Sequence, residues 1–104
     1  MDSNKGSSPN NLLGHFYPIK KVVLQEMYQT KLREEQERRI SDYCTKLRTN
    51  VLSSARNGLQ ALLDPIPVNL FDHTQKIKEC LNYIFPDSEI IVNNTEKTVI
   101  ISWK

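Results

Sequence analysis

With 104 residues, 38% of them apolar and 25% charged, the chain has the size and mix of a single globular domain around one modest core. Its 14 basic and 12 acidic residues leave a formal net charge of +2, a balance that neither draws it strongly to nucleic acid nor keeps it away. No stretch approaches the ~20 apolar residues of a membrane span, and the polar opening Met1-Asp2-Ser3-Asn4-Lys5 lacks the apolar core of a secretory signal, so an intracellular protein, cytoplasmic or nuclear, is expected.

That compartment sets the reading of two local features. Cys44 and Cys80 lie within helical apolar patterns and not in a close-spaced pair, so both are read as reduced, small core residues. Asn93-Asn94-Thr95 matches a glycosylation acceptor, but without a secretory route the match is chance. Ile, Asn and Lys occur nine times each, a bias common in AT-rich genomes, those of many large DNA viruses among them, and one that says nothing about mechanism.

Along the chain, residues 1–17 read as a flexible arm. Met1 to Asn11 is rich in Ser, Asn and Gly and cannot bury enough apolar surface to offset its ordering entropy. Leu12, Leu13, Phe16 and Tyr17 then form an apolar docking segment that folds back on the core or inserts into a neighbouring subunit. Pro18 suits the first turn of a helix, and no Pro or Gly follows until Gly58. A long helix over 18–64 is therefore expected, stopped by Asp64-Pro65-Ile66-Pro67, with breaks near Asn50 or Asn57-Gly58 as the alternative.

In the later part of this helix Ile40, Tyr43, Cys44, Leu47, Val51, Ala55, Leu59 and Leu62 recur in steps of three and four and share one stripe. The earlier part is less regular: Ile19, Val22, Val23, Leu24, Met27, Tyr28 and Leu32 spread around the circumference and suggest contacts on more than one side. Between them Arg33 to Arg39 is almost wholly charged, with Glu34 and Glu35 each four residues ahead of an arginine, the pattern of a solvated helical face.

Residues 65–104 read as a helix-plus-hairpin module packed with the long helix as one domain. Asp72 is placed to cap the second helix, with Gln75 completing a capping box, and Ile77, Cys80, Leu81, Ile84 and Phe85 form its apolar stripe. After Pro86 the β-branched runs Ile90-Ile91-Val92 and Thr98-Val99-Ile100-Ile101 flank a polar turn, the pattern of a hairpin. Pairing Asn93 with Thr98 sets Val92 against Val99, Ile91 against Ile100 and Ile90 against Ile101. One face then carries Ile90, Val92, Val99, Ile101 and Trp103 toward the helix, and Ile91 and Ile100 point away.

The fold class that follows is α+β. Nothing in the sequence points to chemistry: His73 and Cys80 stand two turns apart, His15 reads as a contact residue of the arm, and Gly6, Gly14 and Gly58 are isolated instead of forming a phosphate loop. No catalytic residue, metal ligand, cofactor or small-molecule substrate is assigned. The reading is a non-enzymatic structural or adaptor subunit, most simply a homo-oligomer with a two-fold dimer favoured, or a subunit of a larger assembly. Its expected partner contacts are Phe16, Tyr17, Leu47, Val51, Leu59, Leu62, Ile91 and Ile100. The alternatives are a nucleic-acid-associated protein that uses Lys20, Lys21, Arg38 and Arg39, although interspersed acidic residues weaken that pattern, and a small enzyme that works only as part of an oligomer.

Overall fold

The computed structural model describes Gly14 and residues 16–104. A 36-residue helix, α1 (Lys21–Arg56), is followed by strand β1 (Ala61–Pro65), a 3₁₀ turn (Val68–His73), helix α2 (Thr74–Ile84) and strands β2 (Glu89–Asn93) and β3 (Thr98–Ser102). The fold is α+β, with a three-stranded antiparallel sheet in the order β1-β3-β2. The chain divides into two compact units between Arg33 and Glu34, so the division falls inside α1 and not at an end of the long helix.

The long helix is shorter at both ends than its composition suggested. Pro18 precedes it instead of occupying its first turn, and the carbonyl of Lys20 accepts its opening bonds from the amides of Val23 and Leu24, at 3.0 and 3.3 Å. It runs unbroken past Asn50 to Arg56 and is closed by Gly58. There the amide of Leu59 donates to the carbonyl of Ser54 and that of Gly58 to Ala55, both at 3.0 Å, with Gly58 at φ +85°. This is the paired-bond C-terminal cap in which the residue just past the helix turns left-handed. A Cβ on Gly58 would meet no atom within 4 Å, so only the backbone conformation opposes substitution. Gly58→Ala is expected to cost about 1 kcal/mol, measured by urea denaturation, and no change in midpoint would show that the cap relaxes freely.

Stopping the helix there releases residues 61–65 to become a strand, which corrects the helical assignment of that stretch. β1 pairs with β3 from Ala61↔Ser102 to Pro65↔Thr98. The ladder continues at both ends: the amide of Ile66 donates to the carbonyl of Lys97 at 2.8 Å, and that of Trp103 to Gln60 at 2.9 Å. The Trp103 indole N–H also donates to the Leu59 carbonyl at 2.9 Å. Pro65, which has no amide proton, is tolerated because β1 is an edge strand.

The hairpin has the expected register, with Ile90↔Ile101, Ile91↔Ile100, Val92↔Val99 and Asn93↔Thr98. Its turn is set by Asn93, whose side-chain oxygen accepts the amides of Thr95 and Glu96, each at 2.9 Å. Lys97 then takes a positive φ of 55° and lays its ammonium 5.3 Å from the Phe71 ring centre.

One core serves the second unit. Ile40, Tyr43, Cys44, Leu47 and Val51 of α1 meet Ile66 and Leu70 of the β1–α2 connection, Ile77 and Leu81 of α2, and Ile90, Val99 and Ile101 of the sheet. Leu62, Val92 and Trp103 pack on its margin. Ala55, counted on the helical stripe, is exposed. α2 keeps its expected apolar stripe but not its cap: Asp72 lies in the 3₁₀ turn, His73 holds the N-cap position without a side-chain bond, and Gln75 donates to Glu79 at 3.2 Å. The preceding 3₁₀ turn replaces a side-chain cap as the helix entry.

Candidate interaction surface

The expected partner residues separate into three groups. Leu47 and Val51 are buried in the chain's own core, and Leu62 packs half-buried on its edge, so the seam proposed for them is internal. Leu59 belongs to no helix: it lies beyond the Gly58 cap and is 56% exposed. Phe16, Tyr17 and Ile91 are exposed and Ile100 is half-buried.

Among the described residues, the largest run of exposed apolar side chains is at the start of α1. Within the first unit no described residue is buried, and Val22, Val23, Leu24, Met27, Tyr28 and Leu32 all stand open, preceded by Phe16, Tyr17 and Ile19. In the helical steps 23→27 and 24→28→32, five of these side chains share one side. The sequence pattern located them but suggested contacts on more than one side; with the helix in place, Val22 alone of the six lies off this stripe. Scattered single apolar side chains are ordinary on a protein surface, whereas these are contiguous along one side of the helix.

A second, smaller exposed apolar row crosses the sheet. Strand alternation turns Leu62 and Asp64 toward the helices and Leu63 away, so Leu63, Ile100 and Ile91 form a rung on the opposite face, with Leu63 at 61% and Ile91 at 45% exposure. Leu63 joins this row only because β1 is a strand. A helical reading of residues 61–65 could not find it.

Tyr43 and Cys44, two titratable groups of the second unit, are buried in its core. The Tyr43 hydroxyl donates to Asp64 at 2.7 Å and so ties α1 to β1. Burial, reinforced by that bond and by the carboxylate's charge, pushes the Tyr43 hydroxyl well above the usual tyrosine range. Burial also pushes the Cys44 thiol up to about 12, aided by a hydrogen bond with the thiol of Cys80, which makes it a poor nucleophile. Both cysteines are free, Cys44 buried and Cys80 half-buried.

These shifts fix the sign of an alkaline effect. An unfolded cysteine loses its proton near pH ~8.5 and an unfolded tyrosine near ~10, while the folded chain retains both. Above those values the unfolded state binds fewer protons, so stability falls as pH rises. The urea midpoint is expected to hold up to about pH 8 and to decline beyond it, and Cys44→Ala and Tyr43→Phe should each flatten part of the decline relative to its own neutral-pH value. An unchanged slope in both variants would reject the assignment.

A shallow groove of about 360 Å³ is lined by Arg39, Asp42, Tyr43, Lys46, Pro67, Asn69 and Leu70. Its lining holds a single carboxylate, Asp42, and no histidine or cysteine. Among the described residues no three His, Cys, Asp or Glu side chains gather as a metal site, and no helix is long and apolar enough to cross a membrane. Lys20, Lys21, Arg38 and Arg39 are all exposed, and Glu34 lies between the two pairs, exposed as well. In comparisons with known proteins, the chain matches no family model, no curated protein and no solved structure.

Proposed function

We propose that this chain is a non-enzymatic structural or adaptor subunit that works through protein–protein contacts, forming a homo-oligomer or docking in a larger assembly. The single observation that supports this reading is the exposed stripe of Val23, Leu24, Met27, Tyr28 and Leu32 on α1. Left in water these side chains forgo roughly 25 cal/mol for every Å² of apolar area that a partner would cover. Isolated short helices are marginal, and the start of α1 buries nothing of its own, so a partner that covers the stripe also holds the helix.

The test is mass measurement by sedimentation equilibrium with co-purified proteins retained. The wild-type chain is expected well above its 12.1 kDa monomer mass, and a Leu24→Asp/Tyr28→Asp variant at 12.1 kDa with an unchanged unfolding transition. A wild-type chain that stays at 12.1 kDa at every concentration, with nothing bound, would reject the reading. Retention on DNA or RNA that vanishes between low and moderate salt would favour Lys20, Lys21, Arg38 and Arg39 as a nucleic-acid surface instead.

A further inference from the structure

Resting on the reading of α1 as a contact helix, we infer that its occupant is the same segment of a second copy, packed antiparallel with the two-fold axis between Met27 and Tyr28. The inference comes from the order of charges along one face. At about 100° per residue, Lys20, Lys21, Val23, Leu24, Met27, Tyr28, Lys31, Leu32, Glu34 and Glu35 all fall within about half of the helix circumference. Along that face from Lys20 to Glu35 the order is two cations, an apolar centre that also carries Lys31, and two carboxylates, and Arg38 and Arg39 continue the same face one turn further on.

Such a face is complementary to itself only when reversed. About an axis between Met27 and Tyr28, Lys20 lies level with the partner's Glu35, Lys21 with the partner's Glu34, Val23 with the partner's Leu32 and Met27 with the partner's Tyr28. Lys31 lies level with the partner's Leu24, where its methylene stem covers apolar surface while its ammonium stands one turn from Glu35 of its own helix. A parallel pair would instead set Lys20 and Lys21 on their own copies and Glu34 and Glu35 on theirs. The register is also selected: sliding one turn in one direction brings Lys20 and Lys21 level with Arg39 and Arg38, and in the other brings Lys20 level with Lys31.

An independent feature of the helix end agrees with this arrangement. The first turn of α1 contains no acidic side chain and begins with Lys21, so cations stand at the positive end of the helix dipole. The partner's Glu34 and Glu35 would bring to that end the negative charge that the chain's own sequence omits. The self-pair thus satisfies the apolar stripe, both charge clusters and the helix terminus together.

Charge exchange in the 104-residue chain tests it, with sedimentation equilibrium at low ionic strength over a wide concentration range. Lys20→Glu/Lys21→Glu and Glu34→Lys/Glu35→Lys are each expected to weaken self-association about tenfold or more, by turning four attractive pairs into repulsive ones. All four substitutions in one chain are expected to restore it to near the wild-type value. Circular-dichroism melting of each variant checks that the second unit stays folded. Wild-type chains that remain monomeric at all concentrations would overturn the inference, as would double variants that associate as tightly as wild type or a fourfold variant that stays weak. Association lost in Leu24→Asp/Tyr28→Asp yet indifferent to every charge exchange would keep the contact helix and reject its antiparallel self-pairing.

Discussion

Leu47→Asp is expected to abolish the cooperative unfolding transition of this protein. Leu47 has no exposed surface and sits mid-stripe on α1 between Cys44 and Val51, in the cluster that also holds Ile77, Leu81, Val99 and Ile101. A carboxylate there displaces a well-packed side chain and finds no cation, a cost of several kcal/mol against a total stability that for domains of this kind is about 5–15 kcal/mol. Arg38→Ala, one helical stretch earlier on an exposed surface, should stay within ~0.5 kcal/mol of wild type. Urea denaturation followed by circular dichroism reads both. Equal tolerance of the two would mean that α1 does not pack on the sheet through this stripe.

The second large effect is expected at Ile101, and its control lies on the partner strand. Ile101 is fully buried at the middle of the sheet, flanked by Leu62 on one side and Ile90 on the other, whereas Ile91 faces outward and is nearly half exposed. Ile101→Ala should cost about 2–5 kcal/mol by transfer and cavity terms together. Ile91→Ala should cost under about 1 kcal/mol, because its site already meets water. The contrast tests the register itself, since a slip by one residue exchanges the two faces and would reverse the order of the effects.

Much of this architecture was legible in the sequence, for reasons that differ by element. The hairpin could be paired residue by residue because two β-branched runs flank a polar turn and one side is strictly apolar, which leaves little freedom of register. The α2 stripe and the run from Ile40 to Val51 were equally readable from their helical spacing. β1 was not. Ala61, Leu62 and Leu63 are good helix formers, Leu59 and Leu62 continue the α1 spacing, and what makes the segment a strand is Val99, Ile100 and Ile101 far along the chain. Asn57-Gly58, the alternative break, does mark the end of the helix, but a left-handed cap says only that the helix stops and not that residues 61–65 pair as a strand.

The contact residues were legible to a different degree. An amphipathic stripe announces that a face is covered but not by which chain, and so Leu47 and Val51, assigned to a partner seam, turned out to line the chain's own core. The opposite held at the start of α1, where an irregular apolar pattern became a defined exposed stripe only once the helix bounds and the burial of its neighbours were known. Phe16 and Tyr17 are exposed beside it, while the remainder of the expected arm, apart from Gly14, lies outside the described residues.

The order β1-β3-β2 also bears on how the chain acquires its fold during synthesis. β1 and β2 run parallel to each other, touch no strand except β3, and both precede it in the chain. As the ribosome adds residues at about 5–20 per second, β1 emerges and waits on the order of seconds with no strand to pair with. Through that interval Leu62 and Leu63 sit in an unpaired apolar segment, the condition under which nascent chains recruit chaperones or one another. Only the arrival of Thr98–Ser102 allows both ladders to close, so sheet assembly depends on the last of its three strands to be made.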